Sequence, residues 1–167
     1  MKFEMRSIAL CVMVSVLSCK EQNSAKEQTI DTEAVMVEPE TSPIFPKGNK
    51  ITNDNFTGVA YVSMLVDADS LNPMYAGNVT FEAGARTNWH SHPSGQIILV
   101  VDGEGFYQEK GSPKRILQKG DTVKCPPNLP HWHGASADSE FIQLAISSGE
   151  NGPTEWLEAV TDQEYLK

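Results

Sequence analysis

From Ile44 onward, apolar residues come in short runs that alternate with polar positions and stop at glycine, proline or asparagine, with no repeat and no sustained helical period. The predicted strands are Val59 to Val66, Gly77 to Phe81, Thr87 to His92, Gln96 to Val101, Gly105 to Gln108, Arg115 to Gln118, Thr122 to Cys125 and Phe141 to Ser147. Turn signals lie at Asn72-Pro73, Asp102-Gly103, Lys110-Gly111, Lys119-Gly120 and Gly149 to Gly152. Short strands at this spacing predict an all-β sandwich or barrel that closes its own edges. Thr161-Asp162-Gln163-Glu164 matches a capping box and predicts a short C-terminal helix. Trp156 and Leu157 are expected to pack that tail onto the sheet, in a structural role only.

The first residues follow a different rule. Lys2 and Arg6 precede an uncharged run from Ser7 to Leu17, which ends in Ser18 and Cys19. The run falls short of the ~20 apolar residues a membrane span needs, and reads as a secretory signal. Val16-Leu17-Ser18-Cys19 resembles the lipobox of bacterial lipoproteins. That resemblance implies that residues 1–18 are removed, that Cys19 is acylated, and that the protein sits in the bacterial cell envelope on a lipid anchor, at the periplasmic or outer-membrane face. Residues 19–43 are polar, rich in Glu, Gln and Thr, and cannot bury enough apolar surface to offset their ordering entropy. They are expected to form a disordered tether, leaving residues 44–167 as the single folded domain.

The chain of 167 residues carries 13 Lys and Arg against 22 Asp and Glu, a net charge of −9, which becomes −10 without residues 1–18. With no basic tract to displace counterions from a phosphate backbone, nucleic acid is excluded as the expected partner. Cys11 leaves with the signal and Cys19 is lipidated, so Cys125 is the only thiol left and no internal disulfide forms. Without a flanking base motif, Cys125 reads as a small buried hydrophobe.

The four histidines fall as two His-x-His pairs, His90 with His92 and His131 with His133. Residues i and i+2 of a strand share a face, so each pair can point inward together. Four imidazoles converging inside an acidic β-barrel suggest a metal site more than a core.

The spacing is more specific. Gly84, His90, His92, Gln96 and Gly103 form one pattern, and Gly120, Pro126 and His131 a second. Together they resemble the two motifs of the cupin superfamily, with Gln96 where glutamate is usual and Asn128 where the second motif has glycine. Over roughly Ile44 to Lys167 the chain is similar to small single-domain cupins that include bacterial manganese-dependent hydroxynitrile lyases of the (R)-mandelonitrile type. The resemblance implies a double-stranded β-helix (jelly-roll) barrel and a homodimer. It implies metal ligands at His90, His92, Gln96 and His131, and manganese(II) as the ion, with Fe(II), Ni(II) or Zn(II) as alternatives. Those lyases carry a further histidine on the strand corresponding to Phe141 to Ile146, where this chain has Gln143, an amide that cannot exchange a proton near neutral pH.

Three neutral imidazoles and a neutral amide would leave a divalent ion its full charge, with positions open for a water and a substrate oxygen or small anion. His133, on the same face as a ligand, is the candidate catalytic proton carrier. Thr87 and Gln143 are candidate substrate contacts. The expected activity is metal-dependent lyase chemistry on a small hydroxylated substrate. The alternatives are a dioxygenase acting on a phenol, which the missing ligand glutamate disfavours, and a cupin that binds a small molecule without turnover.

Overall fold

The computed structural model describes residues 44–167, so the signal, Cys19 and tether expectations lie outside the described residues. Within that range the chain forms twelve strands and one helix. In order they are β1 (Asn49–Lys50), β2 (Phe56–Thr57), β3 (Ala60–Val66), β4 (Met74–Phe81), β5 (Arg86–Thr87), β6 (His90–Ser91), β7 (Gln96–Glu109), β8 (Arg115–Gln118), β9 (Thr122–Cys125), β10 (His131–Ala135), β11 (Phe141–Ser148), β12 (Glu155–Trp156) and α1 (Asp162–Leu166). All pairings are antiparallel, and the path β1-β3-β4-β11-β7-β10-β5-β2 curls into a barrel wall.

Strand β7 organises the barrel. Its first half pairs with β11 and β9, its second half with β10 and β8. The sequence predicts a turn at Asp102-Gly103, but the strand runs through it. The register against β11 slips where Ile142 faces Asp102 and Gln143 faces Val100, which leaves Val101 as a bulge. Gly103 follows at φ +77°, and a Cβ there would collide with the Glu140 carbonyl. The dipeptide therefore bends one strand between two sheets, because a bulge and a turn ask for the same residues. Two other expectations change: Thr87 to His92 is broken into β5 and β6, and β10 was absent from the predicted strands.

Alternation places Ala60, Val62, Val79, Phe81, Ile98, Val100, Val123, Cys125 and Phe141 in one apolar core inside the barrel. A second cluster of Trp89, Trp132, Val160 and Tyr165 lies under the tail. The capping box forms as predicted: Glu164 N donates to Thr161 Oγ1, and Glu164 Oε2 accepts from Thr161 N. Arg86 holds this end down. The residue is 5% exposed, and its guanidinium donates to the Val160 carbonyl, pairs with Asp162 at 2.6 Å and lies over the Tyr165 ring. Val160 and Tyr165 anchor the tail, whereas Trp156 turns toward the histidines.

Candidate metal centre

Strand pairing brings the two histidine pairs together. His90 on β6 and His131 on β10 are direct partners across the ladder, so their ring centroids lie 4.4 Å apart. His92 leaves β6 in a turn whose carbonyl accepts from Gly95 N and Asn128 N. Asn128 sits at φ 60°, in the left-handed region that asparagine tolerates better than other side chains. The departure from glycine at this position therefore keeps the backbone conformation.

The second ring nitrogen of each ligand candidate has a partner of its own. His90 Nδ1 is 3.0 Å from the Asn88 carbonyl and His131 Nδ1 is 2.9 Å from the Leu129 carbonyl. A carbonyl only accepts, so both rings carry their proton on Nδ1 and leave the Nε2 lone pair facing the cluster. His92 Nδ1 meets the hydroxyls of Thr154 at 3.2 Å and Ser147 at 3.5 Å, while its Nε2 is buried with no partner among the described residues. Each of His90, His92 and His131 offers a ligand atom within 4.8 Å of the others, close enough to share one ion.

All four imidazoles are held neutral. Burial pushes His92 down to about 4, helped by His131. Burial also lowers His90 and His133 well below the ordinary histidine range, and lowers His131 despite its bond to the Leu129 carbonyl. Neutral rings are the form that binds metal.

Gln96 opens β7 opposite Cys125 and Ser147. Its Oε1 is 3.2 Å from His131 Nε2 and accepts from the Cys125 thiol at 3.9 Å. With the His131 proton on Nδ1, the amide oxygen and Nε2 present two lone pairs to each other, an arrangement that a cation between them relieves. The donor set therefore fits a divalent ion. Cys125 itself is buried and its thiol is pushed up to about 11, chiefly by burial, in keeping with a packing residue.

His133 stands beside this group without joining it. Its ring is 5.2 Å from that of His90 and 6.1 Å from that of His131, and Phe81 meets it edge-on at 5.8 Å. Thr87 and Gln143 both turn toward it: Thr87 Oγ1 accepts from His133 N at 3.2 Å, and Gln143 Nε2 lies 3.1 Å from His133 Nδ1. Trp156, expected to serve only the tail, is paired with His90 across β12 and β6 and lies 4.9 Å from its ring. Nothing in the sequence marked Trp156, Thr154 or Ser147, because each reaches the histidines only through chain closure.

A model of the cupin domain matches residues 77–147, a span that includes every residue of the triad. The chain is also 39% identical over 115 residues to an (R)-mandelonitrile lyase of Granulicella tundricola, covering 68% of this chain and 88% of that one. The chain is a cupin. Its fold is similar to the crystal structure of a cupin-like protein from Thermotoga maritima, at 52% identity and a TM-score of 0.72 over 74% of this chain and 95% of the other. A weaker likeness, 25% identity over 81 residues, reaches an acireductone dioxygenase of Alcanivorax borkumensis and covers 47% of this cupin and 43% of that protein.

Proposed function

We propose that this cupin is a metal-dependent lyase that cleaves a small hydroxylated substrate, with manganese(II) at His90, His92, His131 and Gln96. The observation that carries the reading is a donor set with no carboxylate, beside a separate buried imidazole. A divalent ion bound there supplies a Lewis acid of undiminished charge to a substrate oxygen. His133 carries the proton that the cleavage moves, at Nε2. Gln143 holds its ring in place, Thr87 holds its backbone N–H, and both border the substrate. The likeness to an (R)-mandelonitrile lyase supports this class of reaction. The cupin works in the cell envelope, held through Cys19, as a homodimer.

Cyanide release from mandelonitrile by the metal-loaded protein tests the reading; release no greater than from the metal-stripped protein overturns it. The likeness to a dioxygenase supports a second reading. Oxygen uptake with a phenolic substrate at an electrode would favour it. Ligand binding lost in His131→Ala without any turnover would favour a binding protein.

A further inference from the structure

The Gln143 amide and His133 form a buried pair that the lyase reading leaves without direction. Gln143 is fully buried on β11, and its Nε2–H lies 3.1 Å from His133 Nδ1. An amide N–H only donates, so Nδ1 accepts and the single proton of the neutral ring sits on Nε2. His133 Nε2 is buried and has no partner among the described residues, as does Gln143 Oε1. An N–H left unpartnered beside a cluster of lone pairs costs free energy unless a ligand accepts from it.

We propose that Gln143 is a positioning residue that fixes His133 as a hydrogen-bond donor, and that the centre thereby takes a small monovalent anion. Three features support this assignment beyond the amide bond. The triad and Gln96 bring no negative charge to the ion, so charge neutralisation is left to an incoming ligand. The inward positions around them, Val62, Val79, Ile98, Val100 and Ala145, carry no charge either. Glu109, the carboxylate whose charge reaches His131, is engaged by the Tyr107 hydroxyl at 3.1 Å. In a chain of net charge −9 this is a local site for an anion. The donor on His133 selects one that accepts a hydrogen bond, as cyanide or a carboxylate does. The same geometry directs the His133 Nε2–H toward a departing anion, whose charge that hydrogen bond stabilises.

The inference rests on the triad binding a metal, and the test separates the two. Cobalt(II) is added to the full-length protein and to Gln143→Leu and His133→Phe variants, and azide is titrated while the visible spectrum is followed. Long-range proton–nitrogen NMR spectra of the zinc-loaded protein report the His133 tautomer. Wild type is expected to show His133 protonated on Nε2. Gln143→Leu is expected to mix the tautomers and weaken azide about fivefold, and His133→Phe to weaken it about tenfold, with the cobalt spectrum retained in both. A normal cobalt spectrum with His133 protonated on Nδ1, or with azide affinity equal in all three proteins, overturns this inference alone. Absence of any cobalt spectrum in wild type overturns the metal reading and this inference with it.

Discussion

Gln96 Oε1 stands 3.2 Å from His131 Nε2, and neither atom has a proton to offer the other. The His131 proton is committed to the Leu129 carbonyl at 2.9 Å, and an amide oxygen has none. Two acceptors held this close repel unless a cation lies between them, and the fold holds them there through β7 and β10.

This contact predicts metal-dependent stability. Saturating manganese(II) is expected to raise the melting temperature of the metal-free protein, by about 2.7 kcal/mol of stabilisation at a hundredfold excess over Kd. His131→Ala is expected to abolish the shift, and Gln96→Ala to weaken binding about tenfold or more while leaving the triad. Isothermal titration of the three proteins measures both effects, and equal affinity for wild type and His131→Ala would refute the site.

The depressed histidines set a pH dependence. His92 is held at about 4 against an ordinary value of 6.5, and His90, His131 and His133 are lowered too, each chiefly by burial. As pH falls through 6.5 the unfolded chain takes up protons that the folded protein refuses, so stability is complete above that value and is lost toward 4. The urea midpoint of the metal-free protein is expected to fall steadily across that window and to be level above pH 7 as far as these groups contribute. A midpoint that climbs between pH 6.5 and 4 would contradict the burial of the cluster.

Gly134 lies where β10 meets β5. A Cβ added there would fall on the Ala85 carbonyl and come within 2.5 Å of Arg86 Cα. Gly134→Ala is expected to destabilise the protein by about 1–3 kcal/mol, as overpacking does. Because His131 and His133 ride on the same strand, metal affinity is expected to fall as well. Chemical denaturation and a metal titration check the two parts, and unchanged stability would show that the strands separate at little cost.

Cys125, held at about 11 mainly by burial, is expected to resist alkylation at pH 8 in the folded protein and to react after unfolding in urea. Mass analysis of the peptide carrying Cys125 distinguishes the outcomes, and rapid labelling of the native protein would contradict its packing against Gln96.

The spacing of the four histidines, the alternation of the strands and the Thr161 capping box are local properties, and they were legible in the sequence because each depends on residues a few positions apart. The departures from the motif were legible as well. Asn128 at φ 60° does the work of a glycine through its own backbone tolerance. What only the tertiary structure decided was which groups face one another. The cupin resemblance already separated His92 from His133, but only the fold sets the His133 ring against the Gln143 amide and the His92 ring against Thr154 and Ser147. Side-chain direction follows from strand geometry, but the neighbour it meets follows from how a bulged β7 joins β10 to β11. That closure links residues tens of positions apart, and no local pattern encodes it.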